Sequence, residues 1–365
     1  MAPPVLCGLP LEELTALLAP FPRFRAVQIF KWIAAGASCF AGMTNLPLAI
    51  REELADRFQL RSSVVMNSYE DQDGTVKLSV GLSDGAAIEA VLLAAEGGRR
   101  TACLSTQAGC PAGCVFCKTG ALGFTRNLSS AEIVEQFLFL RDTAAGAAAG
   151  RAIANIVIMG MGEPLLNFAE LRAALAVITD KQGMNFSKRR ITLSTCGISE
   201  GIIDLADKGP DIRLALSLTT ADEALRRRLM PIAKAHPLPK IKEAIAYFQR
   251  SGGGRVTLET VLLEGVNTRR EDAAALANFA RGLDVVVNLI PWNPVAGLKL
   301  DRDKDGGQPL REPSAQEVEA FAHQVETMGL KVTRRFRKGR GVMGACGQLG
   351  VLPEQPVKED LEKSN

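Results

Sequence analysis

From residue 100 onward, the chain alternates between short apolar runs typical of strands and longer segments with helical periodicity. This alternation restricts the fold, because parallel neighbouring strands need long crossover connections that are usually helices. Six strand–helix units are present, fewer than the eight of a closed barrel. The pattern therefore predicts an α/β fold built as a partial, six-unit β/α barrel. The strand candidates are residues 101–105, 153–159, 190–194, 213–218, 256–263 and 285–290.

The region before this alternation has a different periodicity. Residues 10–60 show apolar faces at helical spacing, which predicts a small all-helical N-terminal accessory domain over residues 1–65. Alternation with a period of two begins at Val76 and continues after a turn at Ser83-Asp84-Gly85, which predicts a β-hairpin linker within residues 66–98. Residues 99–350 form the partial barrel in this interpretation. The charged segment 351–365 is expected to be a disordered tail.

Composition excludes some classes of protein. Apolar residues make up 47% of the chain, yet no run approaches the roughly eighteen apolar residues of a membrane span. The N-terminus carries Glu12 and Glu13 and lacks a basic start before an apolar segment, so no signal peptide is expected. These features predict a cytoplasmic protein without a membrane partner. The net charge of +3 is too small to indicate a nucleic-acid partner by itself.

Three of the eight cysteines fall within eight residues, as Cys110, Cys114 and Cys117. Three thiolates on one short loop can each bind one iron of a 4Fe–4S cubane, whereas ordinary ferredoxin clusters use four cysteines. The Cys-x3-Cys-x2-Cys spacing is typical of radical S-adenosylmethionine (SAM) enzymes, in which SAM chelates the open iron. A structural zinc site is the alternative, but it would need a fourth ligand and no second Cys or His pair follows.

A glycine-rich loop, residues 160–164, follows the strand candidate 153–159. Glycines there allow close approach of the backbone to a ligand, and Glu163 can accept a hydrogen bond from a cationic amino group. Three other strand candidates end with a polar side chain that could face the same ligand; for each, an ordinary turn or cap is the alternative. These residues are Ser194, Ser217 and Asn293.

Two cysteines outside the cluster motif are candidates for chemistry. Cys346 has a glycine on either side within two residues, which predicts a flexible loop and an accessible thiol. Cys103 lies seven residues before Cys110. A buried, inert thiol is the alternative for either residue. That interpretation is kept for Cys7, Cys39 and Cys196.

With these motifs in place, the chain resembles the RlmN/Cfr family of radical SAM adenine methyltransferases from about residue 10 to about residue 350. Five family-specific stretches carry the resemblance, in order along the chain. They are residues 103–117, 159–167, 187–195, 288–294 and 345–349.

The resemblance implies a 4Fe–4S cluster held by the three motif cysteines and two SAM molecules per turnover. It implies that Cys346 carries the methyl group, that Cys103 resolves the intermediate through a transient disulfide with Cys346, and that Glu89 accepts a proton. The SAM contacts that it implies are Gly162, Glu163, Ser194, Ser217, Leu218, Thr219 and Asn293.

The family's chemistry explains why two working cysteines are needed. Adenine C2 is a poor nucleophile, whereas a thiolate attacks the SAM methyl group readily. The expected product is adenosine methylated at C2 in 23S rRNA and also in tRNA. The main alternative is methylation of C8 of an adenine in 23S rRNA, as in the Cfr branch. An activating enzyme that makes a glycyl radical and a non-catalytic iron–sulfur RNA-binding protein are alternatives from other classes.

Further partners follow from the residues and from the resemblance. A basic run before Cys346 is expected to neutralise RNA phosphates, with a solvated strand face as the alternative. An electron donor such as flavodoxin or ferredoxin is expected, and the chain is expected to be a monomer. Two departures from the family pattern stand out: Thr219 replaces a common His, and residues 339–344 replace an acidic stretch. The basic run comprises Lys331, Arg334, Arg335, Arg337, Lys338 and Arg340.

Overall fold

A computed structural model describes residues 3–146, 152–301, 307–334 and 338–350. The predicted disordered tail, residues 351–365, lies outside this range. Eleven α-helices occur in the described residues, and none of them is long and apolar enough to cross a membrane. The helices are α1 (Leu11–Leu17), α2 (Arg23–Ala35), α3 (Leu48–Arg57), α4 (Lys118–Leu122), α5 (Ser130–Gly146), α6 (Phe168–Thr179), α7 (Ser199–Lys208), α8 (Glu223–Leu229), α9 (Leu238–Phe248), α10 (Arg270–Ala280) and α11 (Ala315–Thr327).

Twelve strands occur in the same ranges, ten of them in one continuous sheet of order β1-β2-β3-β4-β7-β8-β9-β10-β11-β12. β5 and β6 form a separate antiparallel pair. The strands are β1 (Val64–Glu70), β2 (Val76–Gly81), β3 (Ala87–Ala94), β4 (Arg100–Cys103), β5 (Gln107–Gly109), β6 (Phe124–Asn127), β7 (Ile153–Ile158), β8 (Ile191–Thr195), β9 (Arg213–Ser217), β10 (Val256–Leu262), β11 (Val285–Pro291) and β12 (Val332–Arg334).

All six predicted strands of the α/β unit are confirmed, as β4 and β7–β11, and each pairs in parallel with its neighbour in the sheet. A short seventh parallel strand, β12, was not predicted because it has only three residues and is rich in polar side chains. Side chains of the first and last predicted strands, β4 and β11, line one common cavity. The parallel strands therefore curve into the expected partial barrel.

The antiparallel region extends the sheet rather than standing beside it. The predicted hairpin is present as β2 and β3, but β1 precedes it and makes a three-stranded meander. β3 in turn pairs with β4, the first strand of the barrel. Strand β1 has no alternating sequence pattern that would predict it, because all three side chains of the Val64-Val65-Met66 run are exposed. The division at residue 65 falls inside this strand.

Helix α5 shows how the sequence determines a boundary and joins the N-terminal helices to the barrel. The Ser129 backbone N–H donates to the Glu132 carboxylate at 2.8 Å, and the Glu132 N–H donates to the Ser129 hydroxyl at 3.3 Å; together the two bonds form a capping box. At α11 only the Ser314 cap is present, because the Glu317 carboxylate instead accepts from Thr268 and the Gly265 N–H. Arg141 of α5 donates to the Ala34 carbonyl of α2.

Candidate active site

The three motif cysteines line one cavity at the carboxyl ends of the parallel strands. Cys110 follows β5, Cys114 is at the middle of the loop, and Cys117 immediately precedes α4. The carboxyl ends of the strands are where α/β barrels normally bind ligands. The same cavity is lined by residues from the ends of β7, β8, β9 and β11 and from β10. This space is called the cluster cavity below.

The cysteine loop is fixed by hydrogen bonds to three other segments of the chain. These bonds connect it to the end of α8, to the residue after β11, and to the segment that follows Cys346. They run from the Val115 N–H to the Leu229 carbonyl (2.9 Å), from Trp292 Nε1–H to the Phe116 carbonyl (2.8 Å) and from the Lys118 N–H to the Gly347 carbonyl (2.8 Å).

The chemistry of the three thiols fits a cubane better than a single metal ion. Burial raises the pKa of Cys110 to about 12, and burial also raises the pKa values of Cys114 and Cys117. Binding of iron must therefore displace protons from these thiols. Within the described ranges, no three His, Cys, Asp or Glu side chains are arranged to hold one metal ion. A 4Fe–4S cubane does not need the three thiols to converge on one point, because each thiolate binds a different iron.

The glycine-rich loop after β7 approaches the cysteine-bearing segment closely. Gly162 has a φ of +103°, and a Cβ atom there would lie only 2.6 Å from the Gln107 side chain, so a glycine is needed. The Gln107 side chain accepts from the Glu163 N–H at 2.8 Å. Burial raises the pKa of the Glu163 carboxyl, although hydrogen bonds from Cys196 and Leu165 oppose this. A cationic ligand group in the cavity would favour its charged form.

The polar strand ends meet as expected. The Ser194 and Ser217 hydroxyl oxygens are 3.0 Å apart, and both residues line the cluster cavity. Leu218 is fully buried and does not line the cavity. Because this side chain is buried, Leu218 could contact a ligand only through its backbone. Its backbone N–H already donates to the Glu259 carbonyl.

Among the described residues, two buried polar atoms of the cavity lining have no hydrogen-bond partner: Thr219 Oγ1 and Asn293 Oδ1. Such orphaned atoms are uncommon in native proteins, and a polar ligand bound in the cavity would supply the missing partners. Thr219 also has a φ of +61°, which is strained for a β-branched residue. Backbone strain of this kind concentrates at functional sites. The residues present therefore fit SAM as well as a cluster.

Two functional candidates were missed in the sequence. Cys196, which was expected to be inert, lines the cluster cavity, and its N–H donates to Glu163 at 2.7 Å. Glu259 also lines the cavity, and its carboxylate accepts from Asn288 at 2.6 Å. The available signal for Glu259 was an acidic residue within an otherwise apolar strand. Nothing in the sequence distinguished Cys196 from an ordinary core cysteine.

A second cavity of about 560 Å³ lies on the inner side of the barrel. Cys103 and Cys346 both line it, together with side chains from several parallel strands. Cys346 also lines the cluster cavity and therefore lies where the two cavities meet. Four further residues line both cavities: Met159, Ile290, Asn293 and Leu349. This second space is called the barrel cavity below.

The Cys346 loop, residues 344–350, is held by hydrogen bonds from the strand ends and from α4. Asn293 Nδ2 donates to the Cys346 carbonyl at 3.1 Å, and Thr119 Oγ1 donates to the Leu349 carbonyl at 2.6 Å. Within the loop, the Ala345 N–H donates to the Gln348 side chain, which itself donates to the Pro294 carbonyl. The thiol of Cys346 is consequently presented on an ordered turn.

Glu89, like Leu218, lines neither cavity. Its Oε1 atom is 2.9 Å from the Lys77 ammonium, and its Oε2 atom accepts from the Gly350 N–H at 2.9 Å. The sequence did not indicate Lys77, since a lysine in an alternating strand is usually solvent-exposed.

Comparison with known proteins tests the sequence-based resemblance. Residues 104–277 match the model of the radical SAM superfamily, and residues 6–60 match that of the ribosomal RNA large subunit methyltransferase N-terminal domain. A Treponema pallidum protein named as a probable dual-specificity RNA methyltransferase RlmN is 46% identical over 345 residues, which cover 94% of this chain and 97% of that protein. The chain belongs to the RlmN family of radical SAM RNA methyltransferases.

A second relative agrees with this chain in length, and a solved structure agrees with it in fold. A Thermus thermophilus protein of the same name is 41% identical, covering 95% of each chain. The crystal structure of a radical SAM methyltransferase from Sphaerobacter thermophilus superposes with a TM-score of 0.88 at 37% identity, covering 95% of this chain and 99% of that one. Membership implies a 4Fe–4S cluster, SAM and an RNA substrate.

The glycine-rich segment that departs from the RlmN family pattern has its own carboxylate partners. Asp73 accepts from the Gly339 N–H at 3.0 Å, and Asp71 accepts from the Gly341 N–H at 2.9 Å. Both aspartates lie in the β1–β2 turn. Acidic side chains from the antiparallel region therefore anchor the segment that leads to Cys346.

The described part of the basic run is only partly available to RNA. Arg334 pairs with Glu319 and Glu326, and Arg340 pairs with Glu312 at 3.0 Å. Lys338 lines the barrel cavity, and Lys331 is exposed. Arg335 and Arg337 lie outside the described residues.

Proposed function

We propose that the protein methylates C2 of an adenosine in 23S rRNA and of an adenosine in tRNA, through a methylated Cys346 intermediate. The observation that carries this proposal is the position of Cys346 where the cluster cavity meets the barrel cavity. A thiol there can receive a methyl group from SAM on one side and deliver a one-carbon unit to a base on the other. Cys103 lines the second of these spaces and can reach the same intermediate.

In this proposal Cys110, Cys114 and Cys117 hold the cluster, and Gly162, Glu163, Ser194, Ser217, Leu218, Thr219 and Asn293 surround SAM. When bound, the cluster would supply the electron that cleaves a SAM molecule to a deoxyadenosyl radical. Glu163 would accept from the SAM amino group, while the orphaned Thr219 hydroxyl and Asn293 carbonyl would gain the partners that they lack in the protein. Two SAM molecules are consumed per turnover, one as methyl donor and one as radical source.

The thiols then perform the group transfer. The Cys346 thiolate takes the methyl group of the first SAM. The second SAM, cleaved with an electron from the cluster, would supply the radical chemistry that removes one hydrogen atom from this methyl group. The methylene carbon bonds to C2 of the adenine, the oxidised cluster would take back the one electron that it gave, and the C2 proton passes to Glu89.

Release of the product needs Cys103. Its thiolate attacks the sulfur of Cys346, so that an S–S bond forms and the S–C bond breaks. The electron pair stays on the carbon, which takes up a proton and becomes the product methyl group. An external thiol must reduce the Cys103–Cys346 disulfide before the next turnover.

The substrate choice has two supports. Relatives at 41–48% identity are named dual-specificity RNA methyltransferases, and the N-terminal helices match a family model described for ribosomal RNA methyltransferases. The barrel cavity lies in the usual volume range of small-molecule sites, which suits an adenine extruded from its stack. The proposal also includes a monomeric enzyme and an electron donor, such as a flavodoxin or a ferredoxin, that reduces the cluster.

The decisive experiment compares Cys103→Ala with Cys346→Ala after anaerobic cluster reconstitution. Cys103→Ala should accumulate RNA covalently bound to Cys346, stable to denaturation and removed by RNase, because the adduct cannot be resolved. Cys346→Ala should bind the cluster yet form neither adduct nor methylated RNA. Normal RNA methylation by Cys346→Ala would refute the proposal.

Regiochemistry is tested separately by nucleoside analysis of methylated rRNA and tRNA. C2-methyladenosine in both pools is the expected result. C8-methyladenosine in 23S rRNA alone would instead support the Cfr-type alternative. Cys39→Ala is a suitable matched control for the thiol variants, since Cys39 is exposed and lines neither cavity.

A further inference from the structure

Lys77 and Glu89 form an ion pair between neighbouring strands β2 and β3. The Lys77 Nζ atom is 2.9 Å from Glu89 Oε1, and each side chain is only 6% exposed. The ammonium also lies 5.7 Å from the centre of the Tyr69 ring. Among the ion pairs between described residues, this is the only one with both side chains so deeply buried.

The pair lies beside the Cys346 loop and on the face that carries the working thiols. Val91, two residues after Glu89 and therefore on the same face of β3, is opposite Cys103 in the strand register. Val91 also packs near Gly344, at the start of the Cys346 loop. The far end of that loop reaches Glu89 directly, through the Gly350 N–H.

A role in stability alone explains this arrangement poorly. A buried ion pair loses much of its Coulomb energy to desolvation, and apolar residues of similar size often stabilise a fold as well or better. The ion pair instead fixes the position of the Glu89 carboxylate, because Lys77 Nζ lies 2.9 Å from Oε1. Among the described residues, the hydrogen-bond donor to the second oxygen, Oε2, is the backbone N–H of Gly350, in the loop that bears Cys346.

We propose that Lys77 is the positioning residue for Glu89 as proton acceptor, and that Gly350 covers the acceptor oxygen until the Cys346 loop shifts. This inference rests on the proposed function. Because Glu89 lines neither cavity, the adenine can reach the Oε2 atom of Glu89 only after the hydrogen bond from the Gly350 N–H has broken. In the proton step the C2–H bond breaks, an O–H bond forms at Oε2, and the electron pair stays in the purine ring. The Lys77 side chain stays on Oε1 throughout.

The test uses the reconstituted full-length enzyme in a single turnover with RNA, and it measures the covalent RNA–protein adduct on denaturing gels. Lys77→Met should methylate Cys346 and cleave SAM at wild-type rates. Its adduct should nevertheless persist about tenfold longer or more, with Cys103 still present, because proton removal is slowed. Lys77→Arg should restore adduct decay, since it retains the cation.

Arg126→Met is the matched control, because it breaks ion pairs with Asp84 of the β2–β3 turn and with Glu132 without touching either cavity. It should accumulate no adduct. Adduct decay in Lys77→Met at the wild-type rate would overturn the inference. So would parallel loss of Cys346 methylation and SAM cleavage in both Lys77 variants, which would mark a structural role.

A double variant guards against misfolding caused by one uncompensated buried charge. Lys77→Met combined with Glu89→Gln removes both charges, and its adduct should decay as slowly as that of Glu89→Gln alone. A further slowing in the double variant would contradict a role through Glu89. If Cys103→Ala traps no adduct, the proposed function itself fails; if it does and Lys77→Met does not, only this inference fails.

Discussion

The cluster cavity and the Cys346 loop differ in how the chain builds them. Apart from Cys346, Gly347 and Leu349, the cavity is lined mainly by strand ends and by the cysteine loop, which are fixed by the core of the barrel. The Cys346 loop has no helix or strand and is held by single hydrogen bonds to distant segments, including Asn293, Thr119 and Glu89. The segment just before it is tied to Asp71 and Asp73.

This difference separates two tasks of the enzyme. In the proposed function, a radical source benefits from rigid ligands that exclude water, whereas Cys346 as methyl carrier must serve two cavities in one turnover. Hydrogen bonds with a net contribution of about 1 kcal/mol each can break and re-form without unfolding the barrel. Loss of a cluster ligand in the first region should therefore abolish radical chemistry, while loss of a hydrogen bond that anchors the second region should only change rates.

The largest effect is expected from the cysteine loop. Replacement of Cys110, Cys114 or Cys117 by Ala should remove most of the bound iron and all SAM cleavage, since each thiolate holds a different iron. The protein should stay folded, because the loop lies outside the hydrogen-bonded sheet. Iron content, visible absorption and circular dichroism measure these outcomes. A variant that retains a full cluster and cleaves SAM would break the proposed assignment.

The contrast also explains what the sequence could predict. The six parallel strands and the position of the cysteine loop follow from local patterns, namely apolar periodicity and a Cys-x3-Cys-x2-Cys spacing. The buried ion pair of Lys77 could not be predicted, because Glu89 is twelve residues away on a neighbouring strand and its second oxygen bonds to the distant Gly350 N–H. Cys196 and the strand β1 likewise depend on packing that leaves no local signal.

An intermediate effect is expected from the anchor of the Cys346 segment. Asp71→Ala combined with Asp73→Ala removes the acceptors of the Gly341 and Gly339 N–H groups, so the segment is less often in its docked position. Cys346 methylation by the first SAM should slow by about tenfold, in line with two lost hydrogen bonds to charged groups near solvent. Iron content should equal that of the wild type.

The matched control for this pair is Asp84→Ala, which removes a turn carboxylate from the neighbouring β2–β3 turn without a contact to residues 338–350. Its Cys346 methylation should be unchanged. Equal slowing in the control, or loss of iron in the double variant, would show that the two regions are not separable in the way their contacts indicate.

The smallest effect is expected inside the cluster cavity, from one hydroxyl group. Thr219→Val removes the buried Oγ1 atom that has no partner in the protein while keeping the shape of the side chain. If SAM supplies that partner, the dissociation constant for SAM should rise by roughly three- to tenfold, the value of one ordinary hydrogen bond.

Thr260→Val is the control, because Thr260 Oγ1 is also buried without a partner among the described residues but does not line the cluster cavity. Equilibrium SAM binding to the reconstituted enzyme should be unchanged by Thr260→Val. Unchanged binding in both variants would mean that the strained Thr219 backbone, and not its hydroxyl, is the feature that this position contributes to the site.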